Sequence, residues 1–560
     1  MKKKLSLLIL GLTCALTLQA SDWAEDLVSL NPGVIDSVVY LPSTAYGPKT
    51  LRSYMIYYHQ PLLHDQPELG DLPLRALLTL RYKEDVTHKM TQVNIGGYSL
   101  DENIITYPNY YTNYFFSNSG GELAGRYRGN LLQPEHRYFG LSCPEAAWTT
   151  LGYCEAKEAA ADFHALLEAM KKVFHGKWAI SGVSKGGTTT TIQQAYYPED
   201  ADCFVCYSGP FLGFVGDTRM QEHWMREAWT PEMRESTLHI QKEMLNRATI
   251  YPYFCLYYGW DPKEVYWGDY QRTFFLLSAG MIDFDLHTYR SREEVVNLFA
   301  SNQEYLALHE LDDYTDEMLL YMMVANTLVL DENYDVWYDN TFEPEETTGY
   351  HGAPRRMKSK GHELVRRIPL PVFGIKESDW NPGVTGYYYQ AMHELGYFDL
   401  KWDYFYDTQA EADSVNTMWS GQTDNVLAFA NYTFSEVVFN PSLMEEVRHN
   451  TGTTQSNMLF IYGSDDTWTG ACMDDEYVND ENVRQYILPA QNHGVSINAV
   501  EDWDLKEELW NFTDAALDPE PEAIVSTQAD DDNATPAIFY DLFGRRLEAG
   551  ALRNKLVISN

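Results

Sequence analysis

The sequence predicts an α/β fold: a mainly parallel sheet covered by helices, interrupted by a large, mostly helical insertion. Three observations predict it. Apolar strand-like runs alternate with helical spacing from about residue 50 to 214, the rhythm of consecutive βαβ units. The rhythm stops between 215 and 445, where helical patterns and aromatic runs such as YPYFCLYYGW (251–260) dominate. It resumes at NMLFIYGSDD (457–466), so one sheet is divided in the sequence by a lid. The expected organisation is a leader (1–20), a first core segment (21–214), the lid (215–445), a second core segment (446–517), a linker (518–536) and a short β unit (537–560).

The elements follow in order. SYMIYYHQP (53–61) and RALLTLRY (75–82) read as early strands. MTQVNIGGYSL (90–100) reads as a buried strand closing on Gly96-Gly97, and NLLQPEHRYFG (130–140) comes next. A helix is expected over residues 155–173, because Ala159, Phe163, Leu166, Leu167 and Met170 share one face. KWAISGVSKGG (177–187) reads as strand, turn and helix start, and CFVCYSGPF (203–211) as another strand. VRQYILPAQNHG (483–494) adds a strand, and DWDLKEELWNFTDAAL (502–517) a closing helix. DPEPEAIVSTQADDDNATP (518–536) is acidic, carries Pro and lacks large apolar residues, so it reads as a linker. The last stretch reads as a small hairpin.

Composition narrows the function. Lys plus Arg number 41 against 81 Asp plus Glu, a formal charge of −40. Nucleic acid and anionic lipid are therefore excluded as main partners. MKKKLSLLILGLTCALTLQA has a basic start, a short apolar stretch and a small residue at a plausible cut site, the pattern of a secretory signal peptide. Its apolar run is shorter than a membrane span, and no later segment is apolar enough to cross a bilayer. The expected location is thus outside the inner membrane: periplasmic, cell-surface or secreted. Export permits disulfides, and Cys143 with Cys154 is the best local pair. Cys203 and Cys206 resemble a CxxC, but strand alternation sends them to opposite faces. Without a second CxxC they read as buried thiols, and no metal is expected.

The chemistry centres on Gly182-Val183-Ser184-Lys185-Gly186. It matches the G-x-S-x-G nucleophile elbow of α/β-hydrolases, a sharp strand-to-helix turn that lifts a serine hydroxyl clear of the sheet. Alone the motif is weak, but here a strand precedes it and a helix start follows. A serine needs a base, and the base an orienting acid. In this architecture they follow in the order Ser, acid, His. His493 in QNHG (491–494) and Asp466 in YGSDDTW (462–468) meet that order, with Asp465 as the competing acid. The backbone N–H of Lys185 would be one oxyanion donor. The second would come from Gly96, Gly97 or Tyr98, with Gly97 preferred. A Ser–Lys dyad is not expected, because the residue after the nucleophile points away from it. The triad needs no metal or organic cofactor.

Several of these motifs carry a family resemblance. PEHRYFG (134–140), GVSKGG (182–187) and AYYPEDAD (195–202) resemble secreted tripeptidyl and prolyl tri/tetrapeptidyl aminopeptidases, serine peptidases with an α/β-hydrolase core. QPLLHDQPELG (60–70) and QVNIGGYSL (92–100) resemble the start of that pattern. GYYYQAMHELGY (386–397) looks like a lid motif shared with prolyl carboxypeptidase and dipeptidyl peptidase II. Thr467 stands where the family usually has Pro after the acid. The resemblance implies cleavage of short peptides from a free N-terminus, often after Pro. It also implies carboxylates that pair with the substrate ammonium, Glu135 first and Glu394 second. Glu135 has a competing reading as a partner of Arg137, and the lid aromatics as prolyl-stacking groups or core. Arg545-Arg546 resembles a short form of the C-terminal sorting tails of the Gram-negative type IX route. A carboxylesterase or lipase on the same fold, and a non-catalytic surface binding protein, are the rival functions.

Overall fold

The computed structural model describes residues 22–42, 51–81, 85–100, 119–144, 147–228, 385–398, 437–479 and 481–517. It also describes scattered positions between 230 and 242, and residues 404–405, 539–540 and 558–559. The expected leader, most of the expected lid, Cys255, the linker and Arg545-Arg546 lie outside the described residues.

Among the described residues, nine strands form one sheet. They are β1 (Ile35–Leu41), β2 (Leu51–Pro61), β3 (Asp71–Arg81), β4 (Thr91–Asn94), β5 (Asn130–Pro134), β6 (Trp178–Val183), β7 (Cys203–Tyr207), β10 (Asn457–Gly463) and β11 (Val483–Leu488), with β8 (Val215–Asp217) and β9 (Tyr397–Phe398) outside this sheet. Their spatial order is β1-β2-β3-β5-β4-β6-β7-β10-β11. The three pairings from β1 to β5 are antiparallel. From β5 onward every pairing is parallel. The order reverses at β5-β4-β6, the topological switch point where such sheets place their sites. This is an α/β-hydrolase sheet. Loops after β4, β6, β10 and β11 leave from the same carboxyl rim.

Helices cover both faces, and the alternation within strands shows it. Phe204 and Cys206 belong to one core with Met458, Phe460 and Tyr462. Cys203, Val205 and Tyr207 belong to the other with Leu459 and Ile461. The two cysteines thus sit on opposite faces, as alternation requires. Helices α1 (Asp22–Ser29), α3 (Ala156–Lys171) and α7 (Ser442–Thr453) supply the first core, and α8 (Trp503–Leu517) the second; α2 is the short helix Glu122–Arg126. α3 buries Ala159, Phe163, Leu166, Leu167 and Met170, the face that the spacing predicts. It also buries Asp162, which the apolar pattern does not announce.

Asp162 explains how the rim segments are tied down. Arg137, fully buried beyond β5, donates from Nε and Nη2 to the two Asp162 oxygens at 2.6 and 2.7 Å. Its guanidinium also reaches the carbonyls of Pro61, Leu62 and Tyr153. One cation therefore joins the end of β2, the segment after β5, the approach to α3 and α3 itself.

Two expectations change. Cys143 and Cys154 are thiols, not a disulfide. Cys154 is fully buried at the seat of α6 (Thr385–Gln390), where Gly386 packs over its Sγ and the Phe139 ring. The region read as mostly helical also contains β8 (Val215–Asp217), paired parallel with β9 (Tyr397–Phe398). α7 begins at Ser442 and packs on α4 (Lys185–Tyr196), so it crosses the boundary expected at 445/446. α5 (Arg219–Arg226) packs on the turn Thr467–Ala471.

The chain divides into two units, Met1–Leu517 and Asp518–Asn560. Within the second, β12 (Phe539–Tyr540) pairs antiparallel with β13 (Ile558–Ser559).

Removing one partner of a buried ion pair leaves an uncompensated charge. Asp162→Ala is expected to cost about 3–5 kcal/mol. In urea unfolding this appears as a lower midpoint at unchanged slope.

Candidate active site

Ser184 occupies the turn between β6 and α4 with φ +57° and ψ −126°. A non-glycine residue there is strained by about 1–3 kcal/mol and must be held by its surroundings. Its N–H donates to the Tyr207 carbonyl at 2.9 Å, and its carbonyl accepts from Thr188 N–H at 3.1 Å. Close backbone approach does the rest. A Cβ at Gly182 would collide with the carbonyls of Gly186 and Ile95, and one at Gly186 with the Ile95 carbonyl. The glycines on both sides of the serine are therefore required by packing. Ser184 itself is half-buried.

Asp466 follows β10 and His493 follows β11. His493 Nδ1 lies 3.1 and 3.0 Å from the two Asp466 oxygens. A carboxylate can only accept, so Nδ1 carries the proton and Nε2 is the basic nitrogen. Asp466 is fully buried, and its Oδ1 also accepts from Trp468 N–H at 3.0 Å. Asp465 differs: it is half-buried and accepts from the Ser464 hydroxyl. The structure thus sets Asp466, not Asp465, on the imidazole.

Glu122 is a residue the sequence does not flag. It is fully buried, and its carboxylate accepts from Ser496 Oγ, Ile497 N–H and Asn498 N–H at 2.8–3.1 Å. It pins the segment directly after His493. Burial raises its pKa, while these donors oppose the rise. A buried Glu in GELAGRY (121–127) has no periodic signature, so only its contacts reveal it.

The loop after β4 docks on the elbow. Gly97 has φ +78°, and a Cβ there would sit 3.0 Å from Gly186 N. The loop is also bolted to residues 134–140: His136 N–H donates to the Tyr98 carbonyl at 3.0 Å, and Leu100 N–H to Glu135 Oε1 at 2.9 Å.

Glu135 therefore has a different role from the one expected. It is fully buried and holds Arg75 through two bonds of 2.8 and 2.7 Å. It also accepts from Leu141 and Ser142 N–H. Its oxygens are saturated, which removes it as a partner for a substrate ammonium, and its cation is Arg75 rather than Arg137. Glu394, in the π-helical turn Ala391–Leu395 after α6, is nearly buried and accepts from Ala156 N–H at 2.7 Å. Burial pushes its pKa up to about 7.

Aromatic rings run from the loop after β4 to His493. Tyr98 meets Tyr387 at 5.7 Å, Tyr387 meets Tyr397 at 6.2 Å, and Tyr397 meets Phe398 at 4.9 Å. Phe398 then meets Trp468 at 5.7 Å, and Trp468 meets His493 at 6.0 Å.

Among the described residues, His164, Glu168 and Asp200 form a cluster with metal-like spacing. Lys171 Nζ already lies 3.7 Å from Asp200 and 3.8 Å from Glu168, so an ammonium supplies the positive charge there. No described helix is long and apolar enough to cross a membrane.

Residues 27–259 match the family model of the PS-10 peptidase S37 family. A prolyl tri/tetrapeptidyl aminopeptidase of Streptomyces mobaraensis is 32% identical over 160 residues, which span 28% of this chain and 29% of that relative. Among solved structures, Candida antarctica lipase A aligns over 90% of this chain and 87% of its own at 10% identity and TM-score 0.35. A peroxisomal α/β-hydrolase of Saccharomyces cerevisiae aligns over 88% and 92% at 9% identity and TM-score 0.32. The matched stretch, which contains the elbow at Ser184, is thus similar to the S37 family of serine peptidases, and the chain spans less than a third of the length of the curated relative it matches.

Proposed function

We propose that this protein is an exported serine aminopeptidase that releases short peptides, tripeptides or similar, from free N-termini. The observation that carries the proposal is the Asp466–His493 pair on the same sheet rim as a positive-φ serine. Ser184 Oγ attacks the scissile carbonyl while His493 Nε2 takes its proton. Backbone N–H groups of Lys185 and the 96–98 loop hold the oxyanion. The imidazolium then protonates the leaving amine, and water, activated by the same imidazole, releases the acyl peptide.

Two features support the finer specificity. The ring series beside His493 offers flat apolar faces that suit a prolyl ring. Glu394 offers a nearly buried carboxylate that suits a substrate ammonium. The first 20 residues support export as the route to extracellular peptides.

Ser184→Ala is expected to abolish hydrolysis of peptide arylamides with folding retained. Asp466→Asn should lower kcat by about 10⁴-fold, as loss of the orienting acid does in related chemistry, while Asp465→Asn stays near wild type. Equal losses in the two Asp variants would contradict the assignment of the acid.

N-terminal acetylation of the substrate should raise KM sharply. An esterase or lipase would be indifferent to it and would prefer apolar esters. Because Glu394 titrates near 7, it is a carboxylate above that pH and neutral below it. The preference for free over acetylated peptide, as a ratio of kcat/KM values, should therefore shrink as pH falls through about 7. The ionisation of His493 acts on both substrates and cancels in the ratio. A pH-independent ratio would remove Glu394 from substrate binding.

A further inference from the structure

Lys185 has a side chain that the triad does not use. It follows the nucleophile directly, yet the residue is only 4% exposed. Its Nζ donates to the Gly97 carbonyl at 2.6 Å. The rings of Tyr98 and Phe139 lie 5.4 and 5.1 Å from the ammonium. Glu394 and Cys154 are the acidic groups that act on it, and His136 is the neighbouring imidazole. Burying a lysine is costly: desolvation pulls its pKa down to about 7. A lysine is found in such a place only where specific contacts hold it.

The peptide plane shows what this contact does. No peptide bond among the described residues is cis. In a trans peptide the C=O and the following N–H point in opposite directions. The Gly97 carbonyl is drawn inward to Lys185 Nζ, so the Tyr98 N–H of the same plane faces away from that ammonium. The loop meanwhile lies against the elbow, with Gly97 packed on the Gly186 backbone and the Lys185 stem. The Tyr98 carbonyl is fixed by His136 N–H, so both ends of this residue's backbone are constrained.

We propose that Lys185 is a positioning residue for catalysis: its side chain locks the Gly97–Tyr98 peptide so that Tyr98 N–H, with Lys185 N–H, forms the oxyanion hole. One residue thus contributes a donor through its backbone and orients the other donor through its side chain. This rests on Ser184 acting as the nucleophile, and it moves the second donor from Gly97, the sequence-based preference, to Tyr98.

The test uses the full mature enzyme. Wild-type and Ser184→Ala turnover of a peptide arylamide first establishes the serine mechanism independently. Lys185→Met keeps the stem and removes the donor. Its kcat is expected to fall by about 10²-fold, the scale of losing one oxyanion donor. Its KM should change by less than about threefold, the pattern of an interaction made only in the transition state. Lys185→Arg, which keeps a charged donor, should recover part of kcat. A Lys185→Met enzyme with wild-type kcat overturns the proposal, as does one whose loss lies in KM alone. If that variant does not fold, a crystal structure of the wild-type enzyme with a peptide boronate on Ser184 decides. The boronate oxygen should lie about 2.7–3.1 Å from Tyr98 N and Lys185 N, with Nζ still on the Gly97 carbonyl. An oxygen held instead by Gly96 or Gly97 N–H, or a withdrawn Lys185 side chain, overturns it.

Discussion

The turn at Ser184 is the constraint on which the rest of the structure depends. A serine at φ +57° does not stay there unaided. It is kept there because β6, the loop after β4 and the first turn of α4 approach more closely than any Cβ at Gly182 or Gly186 would allow. The same approach brings the loop after β4 against the turn that carries Ser184. Strain at one residue, and contact between two loops from different strands, are thus one packing arrangement.

Rigidity at this rim comes from buried charge. Arg75–Glu135, Arg137–Asp162, Glu122 with its three donors, and Lys185 on the Gly97 carbonyl each fix a loop that leaves the sheet. A buried ion pair contributes little net stability against an apolar alternative, but losing one partner is expensive. Such groups therefore specify geometry more than they add stability. Here they converge on the segments that carry Ser184, the loop after β4 and His493. Serine catalysis benefits most from this, because preorganised donors need no rearrangement as charge develops.

Much of this was legible in the sequence. The elbow, the chain order of Ser184, Asp466 and His493, and the strands around them follow from local patterns of a few residues. What stayed hidden acts across long sequence separations. Glu135 and Arg137 are separated only by His136 in sequence, but the cation that Glu135 holds is Arg75, 60 residues earlier and on the neighbouring strand. Glu122 reaches Ser496 across 374 residues. Cys143 and Cys154 are close in a loop-rich stretch, yet Cys154 is enclosed by the seat of α6, a contact with a segment over 200 residues away that no local spacing encodes. The Asp465/Asp466 choice needed the direction of two adjacent side chains, which only the turn after β10 sets. For Lys185 the sequence offers a backbone donor and argues against a Ser–Lys dyad; the unusual placement of a lysine at the start of a buried helix turn was the available signal for its side chain.

The central claim is that Ser184 is a nucleophile activated by His493. Fluorophosphonate labelling of the purified mature protein, followed by peptide mapping, tests it most directly. Stoichiometric modification of Ser184, abolished in His493→Ala, is the predicted result. A folded protein that resists the probe, or carries the label on another residue, would contradict it.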